Sequence, residues 1–379
     1  MTFPWIPSDD RVLALEDVVH DVFTIHDVQI RASGKVVVFV GQFLRSPELV
    51  YEAVVEAFHQ RGFIPLLRQE NGRDVLIAYP APAVGRPSRL WVHVLLFVLT
   101  VLSTLVAGTL QAPGDSAERV GSLLSFFRAH WTAGIPFTVA LLGILGTHEL
   151  GHYFVARRYG LDVSLPYFIP FPLFLIEPSS ITIGTMGAVI RIQSPFESRK
   201  SLFDVGIAGP LAGLVVAIPV LALGMVNAQM APVQPGPNVA IFNEPLLFQW
   251  MVLLIRGPRP PGMDIIMNPL LMAGWWGLFI TALNLVPVSQ LDGGHISYAL
   301  LGSSHRYLAW GVFLAAVAMT ILGLSFYVIM LFLVFMMGIE HPPALNDLTP
   351  IGRPRQILGV FTLFLFLTLI TLSPFGNLR

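Results

Sequence analysis

On a helix, two residues four apart are separated by roughly 40° around the axis and about 6 Å along it. His148 and His152, in the run His148-Glu149-Leu150-Gly151-His152, therefore aim two imidazoles at one point. Two neutral imidazole nitrogens and one further oxygen make the open tetrahedral zinc site of a hydrolase, and Glu149 beside them can take a proton from the water bound there. The run lies inside the apolar stretch Ile135 to Ala156. An ionisable group there is expensive to bury and reads as functional by default. One zinc ion per chain is the expected cofactor. The chain has no Cys, so His, Asp and Glu are the candidate ligands.

A third ligand must come from the same depth on another element. The segment Asn284-Leu-Val-Pro-Val-Ser-Gln-Leu-Asp-Gly-Gly-His295 offers Asp292, with Pro287 and Gly293-Gly294 breaking the helix where a ligand must turn inward. Taken alone, Asp-Gly-Gly is a turn; paired with two histidines at matching depth it completes a set of two imidazoles and a carboxylate. His295 is a rival ligand three residues on, and His341 a weaker one.

The elements that must hold these residues belong to a membrane. Hydrophobic residues make up 54% of the chain and charged residues 12%, with a mean hydropathy of +0.71, which excludes an ordinary soluble protein. Net charge is −1 and no arginine-rich run with interleaved aromatics occurs, so no nucleic-acid partner is expected. Apolar spans are expected at Leu90–Leu110, Ile135–Ala156, Leu202–Val226, Pro269–Val286 and Ile357–Leu372. Tyr307–Gly338 is too long for one crossing and is expected as two short helices broken near Gly323. The fold class is thus a polytopic α-helical membrane protein with about six to seven transmembrane helices around a buried zinc site. Arg86, Arg89, Arg157, Arg158, Arg191, Arg199, Lys200, Arg353 and Arg355 mark the cytoplasmic side, against a smaller number of arginines opposite.

Residues 1–88 are mixed and charged, unlike a cleavable leader, and are expected to form a small cytoplasmic α+β accessory domain with its linker. Val36–Val40 reads as a strand. Ser46-Pro47-Glu48 opens a helix carrying Leu49, Val50, Ala53, Val54, Ala57 and Phe58, and Gly62 ends the pattern. Phe63–Gln69 and Asp74–Tyr79 flank Asn71-Gly72, a hairpin signal, giving a β-α-β-β order. Residues 89–379 then form the transmembrane domain, with 135–295 as its core.

The helix histidines, the Asn-x-x-Pro-x-x-x-x-Asp-Gly-Gly segment and Gly206-Ile-Ala-Gly209-Pro210-Leu-Ala-Gly213 between them resemble the site-2 protease family of intramembrane zinc metalloproteases. With Gly184-Thr-Met-Gly187 and Ser194-Pro195, the stretch from Pro166 to Gly213 is most similar to the bacterial and plastid branch without a PDZ domain. That resemblance implies His148, His152 and Asp292 as zinc ligands and Glu149 as general base. It implies regulated intramembrane proteolysis of a single-span membrane protein, such as an anti-sigma factor or membrane-tethered regulator, in a bilayer that is a bacterial cell membrane. Asn284 resembles the family's asparagine; it is either a hydrogen-bond donor to substrate or a polar contact between helices. The glycine ladder reads as close helix packing.

Pro166–Ile192 is too proline-rich for a regular helix and too apolar for a free loop, so it is expected to dip into the membrane. Ile181–Gly184 and Ala188–Ile192 read as a hairpin around Met186-Gly187, either an edge for substrate or a plug. Two other readings remain. A zinc-binding transporter calls for an inverted repeat, which the second half does not show; a catalytically inactive scaffold calls for loss of Glu149 or a ligand.

The arginine bias is tested by labelling single cysteines. A cysteine at Gly114 should react only from the non-cytoplasmic face; reaction only from the cytoplasm reverses the orientation.

Overall fold

The computed structural model describes residues 10–31, 36–81, 88–111, 123–175, 183–232, 240–324, 326–371, 373 and 375–377. Ile181 and Thr182, half of the expected hairpin's first strand, lie outside them.

Amino-terminal residues build a four-stranded antiparallel sheet of order β1-β2-β4-β3, from β1 (Phe23–Arg31), β2 (Val36–Phe43), β3 (Phe63–Glu70) and β4 (Arg73–Pro80). Helices α1 (Asp10–His20) and α2 (Pro47–His59) accompany it. Asn71 and Gly72 both have positive φ, and Glu70 pairs with Arg73, which is the two-residue turn that matches strand twist. The helix α1 and strand β1 precede the β-α-β-β order read from sequence. Phe23 and Ile25 set one alternation, and a bulge between Ile25 and Asp27 shifts it before Val28 and Ile30, which hides the period of two. Leu15, Val19, Phe39, Val54, Phe58 and Leu76 form the core of this unit.

Among the described residues, three helical segments are long and apolar enough to cross a membrane: α3 (Leu90–Leu110), the run Ser125–Arg158 and α6 (Arg199–Val226). The run Ser125–Arg158 spans most of α4 (Leu123–His130), one tight turn and α5 (Ile135–Arg158). Ser198 caps α6, exchanging hydrogen bonds with Ser201. After α7 (Leu246–Arg256) comes α8 (Pro269–Asn284), apolar but only 16 residues long. About 20 residues span a bilayer unassisted, so α8 falls short of the span expected there. Beyond α9 (Asp292–Leu301), helices α10 (His305–Ile321) and α11 (Phe326–Met337) flank Gly323, whose φ of 91° suits a residue without Cβ. The last helix is α12 (Arg353–Leu369). Its Arg355 grips Asp204 of α6 through Nε and Nη2 at 2.8 and 2.7 Å, and Tyr159, just past α5, donates to the same carboxylate.

The expected hairpin is corrected in its pairing. Thr185–Val189 forms one strand, β6, and pairs antiparallel with β5 (Tyr167–Pro170) rather than with residues just before it. Met186-Gly187 therefore lies within a strand instead of at a turn. A two-stranded ribbon keeps proline at its margin, so the proline-rich half could serve as β5. Pairing continues outward, with Val163 opposite Ile192 and the Gln193 N–H donating to the Asp162 carbonyl. Phe97 of α3 meets Phe168 edge to face, and β6 lies toward α5.

Candidate metal centre

The centre is set by how closely α6 approaches α5. A Cβ at Gly209 would run into Nε2 of His152, one at Gly206 would stand 2.7 Å from Cβ of His295, and one at Gly213 would stand 3.3 Å from His148. Conversely, a Cβ at Gly151 of α5 would meet the Ala208 carbonyl at 2.6 Å. The glycines are therefore the condition for seating two imidazoles between the helices.

His148, Glu149 and His152 are 4%, 6% and 6% exposed, so each needs a partner. Nδ1 of His152 lies 2.7 Å from the Val205 carbonyl of α6, which can only accept, so Nδ1 carries the proton and Nε2 is left with its lone pair. Nε2 of His148 lies 3.2 Å from that Nε2; Oδ2 of Asp292 lies 3.2 Å from His148, and Oδ1 lies 3.2 Å from His152. Ligands on a tetrahedral zinc, each about 2.0–2.1 Å from the ion, stand about 3.3 Å from one another. The donor set fits one metal ion. Oδ2 of Asp292 is buried without a hydrogen-bond donor, as suits a carboxylate kept for a cation.

Asp292 reaches this point because the chain reverses between α8 and α9. Ser289, fully buried, takes a φ of 57° there and donates its N–H to the Ile339 carbonyl. The break expected at Pro287 and Gly293-Gly294 runs across residues 285–291, so it takes in Pro287 but not the two glycines. The two glycines sit in the first turn of α9, where a Cβ would collide with the carbonyls of Leu285 and Ser289. Asn284, last residue of α8, places its Nδ2 3.2 Å from Nε2 of His148. Glu149 keeps Oε1 4.0 Å from Nε2 of His148, beside the three donors, and its carboxylate faces the Ile190 backbone just past β6.

His295 and His341 are not brought into the cluster. Nδ1 of His341 meets the Pro342 carbonyl, so its Nε2 accepts from Nδ1 of His295 at 2.6 Å. Burial lowers both below the ordinary histidine pKa, which keeps the pair neutral near pH 7. Sequence spacing could not show this pairing, because the two residues lie on separate elements. Val205 was likewise missed: it contributes a carbonyl, and no side-chain pattern reports that.

Residues 136–328 match the family described as peptidase family M50, the site-2 protease family. The chain belongs to peptidase family M50. This M50 chain is 29% identical over 246 residues to the protein described as probable zinc metalloprotease EGY2, chloroplastic, of Arabidopsis thaliana, covering 64% of this chain and 42% of that one. Probable zinc metallopeptidase EGY3, chloroplastic, of the same plant is 30% identical over 256 residues, covering 62% and 42%. The EGY2 protein of Oryza sativa subsp. indica aligns over 350 residues at 25% identity, covering 89% of this chain and 62% of its own. The M50 chain thus spans about two-fifths of the Arabidopsis relatives' length. Their names place these relatives in chloroplasts, which does not match the bacterial cell membrane expected from sequence.

Because the space at position 209 is already filled by the His152 ring, Gly209→Ala should displace the ring or the helix. Overpacking of this kind costs about 1–3 kcal/mol. Zinc content measured on purified variant should fall well below that of wild type, while Gly311→Ala, facing open space, should bind normally.

Proposed function

We propose that this chain is an intramembrane zinc metalloprotease that hydrolyses a peptide bond within or near the transmembrane segment of a membrane-protein substrate. The observation carrying this reading is the triangle of His148, His152 and Asp292 donors at 3.2 Å with Glu149 beside it, on buried faces of apolar helices. His148, His152 and Asp292 would hold a zinc ion, which would supply a Lewis acid and lower the pKa of water there toward neutrality. Glu149 takes the proton of the attacking water and returns it to the leaving nitrogen. The Val205 carbonyl fixes the His152 tautomer throughout. Asn284 stands where its amide can donate to the carbonyl oxygen under attack.

A peptide bond in a helix is shielded by its own hydrogen bonds, so the substrate must be unwound before attack and its freed groups given partners. The open edge of β6 provides them. Arg191 and Gln193 bond across to Ser164 and Asp162, and by strand alternation Ala188 and Ile190 turn their N–H groups the other way, toward Glu149. Among the described residues no strand pairs with that edge. A substrate laid along it is extended and presented beside Glu149.

The reading extends to topology and partners. Residues 1–88 serve as a cytoplasmic accessory domain, and residues 89–379 as the transmembrane protease with six to seven spans, counting α8, α10, α11 and α12 with the three long ones. The amino terminus in the cytoplasm rests on the arginine bias. A single-span protein such as a membrane-tethered regulator or anti-sigma factor is the substrate. A transporter or inactive scaffold is disfavoured, because the chain retains Glu149 and every donor.

Roles separate in the variants. Glu149→Gln should lower cleavage of a model transmembrane peptide by about 10²–10⁴-fold with zinc still near one per chain. Asp292→Ala should lose zinc and activity together, whereas His295→Ala and His341→Ala should keep zinc. Loss of zinc from His295→Ala but not from Asp292→Ala reassigns the third ligand.

Substrate pairing is tested by Ala188→Pro, which removes one outward N–H. Cleavage should fall about tenfold or more with zinc retained, and a helix-breaking residue near the scissile bond of the substrate should speed cleavage. Undiminished cleavage by Ala188→Pro, with a rigid helical substrate cut as fast as a broken one, reduces the ribbon to a plug.

A further inference from the structure

A groove of about 570 Å³ runs between α2 of the amino-terminal unit and the start of α6. Glu48, Glu52 and Glu56 repeat at four-residue spacing along α2 and line it, and Glu197 faces them from the residue before the α6 cap. Like charges at that spacing weaken a helix by about 0.2–0.5 kcal/mol per pair, so the stripe has a cost that folding does not recover. Lys200 neutralises one member, contacting Glu48 at 2.5 Å. Among the described residues Glu52, Glu56 and Glu197 have no ion-pair partner. Two hydroxyls point to a ligand independently of the charge: Tyr51 and Thr349 line the groove at 9% and 5% exposure, yet neither side-chain oxygen has a hydrogen-bond partner. Buried hydroxyls left open are rare and call for a partner the chain itself does not supply.

We propose that this groove holds the basic juxtamembrane segment of the membrane-protein substrate, a deepening that rests on the protease reading above. Single-span proteins carry Lys and Arg at the cytoplasmic end of their span, the side to which the arginine bias assigns this groove. The path is continuous. From Ile190, beside Glu149, the chain runs through Ile192 and Phe196 to Glu197, along a second cavity of about 460 Å³ that also touches His341 and Pro343. Val205, bonded to the His152 ring, lies six residues past Arg199, about 9 Å of helix rise. An extended substrate covers about 3.3 Å per residue, so a cation about three to five residues from the scissile bond reaches the glutamates.

The test uses the full chain in neutral detergent and two peptides that share one span, one followed by four lysines and the other by four serines. KM for the lysine peptide should be about tenfold lower than for the serine peptide at low salt. That ratio should approach one in Glu52→Gln/Glu56→Gln/Glu197→Gln and in wild type at about 0.5 M salt. Glu52→Lys/Glu56→Lys should invert the preference toward a glutamate-flanked peptide. A ratio of one in wild type, or an undiminished ratio in the triple variant, overturns the proposal. If neither peptide is cut, the protease reading fails and the groove is judged by fluorescence anisotropy of the labelled lysine peptide, which needs no cleavage. Equal affinity for wild type and triple variant then overturns it.

Discussion

Everything about this site depends on one contact, the approach of α6 to α5 at positions that carry no side chain. Two imidazoles and a carboxylate are costly in an apolar interior unless they face one another and a cation. They can do so only if the neighbouring helix yields space for the rings and supplies an acceptor for the remaining ring N–H. Gly209 yields the space, and the Val205 carbonyl, one turn earlier, accepts the hydrogen bond from the Nδ1–H of His152. Gly206 performs the same service for α9, which brings Asp292 alongside. The motif on α5 is therefore only half of the device; α6 contains no ligand and decides whether ligands can meet.

A second constraint keeps Asp292 in register. The reversal at 285–291 leaves backbone groups buried at depth, where each requires a partner. Ser289 finds one in the Ile339 carbonyl, and Ser297 bonds back to Gly293. The left-handed conformation at Ser289 is strain that the surrounding contacts overdetermine. Asp292 is thus presented by a stiff corner, which holds its carboxylate against the two imidazoles.

How much of this was legible in the sequence follows from which interactions are periodic. The helix carrying His148 and His152, the glycine ladder, the turn at Asn71-Gly72 and the helix break at Gly323 each leave a local pattern, and each stands where that pattern put it. The partner of β6 left none, because Tyr167–Pro170 lies across a proline-rich stretch that reads first as irregular chain. The pairing of His295 with His341 joins elements 46 residues apart. Strand β1 was hidden by its own bulge, and α8 was read as two residues longer than the helix proves to be.

The same limit explains the least legible feature, the segment joining α11 to α12. Its Pro342-Pro343 pair excludes regular structure, yet Leu345–Asp347 behaves as a strand without forming a sheet of its own. On one side the Leu67 N–H donates to the Leu345 carbonyl, and Asp347 donates back to Leu67 on the outer edge of β3. On the other, Leu345 and Asn346 donate to the carbonyls of Phe196 and Glu197, just before α6. Leu345 and Leu348 press into the apolar core beneath β3. An exposed sheet edge invites pairing, and here the membrane part itself supplies the added strand, so the amino-terminal sheet is fastened through backbone bonds to the helix that shapes the metal centre. A displacement of that sheet would be felt first at Phe196 and Glu197, between the Ile190 end of the ribbon and the N-terminus of α6. The amino-terminal unit is therefore mechanically close to Glu149 without contributing a residue to the metal centre.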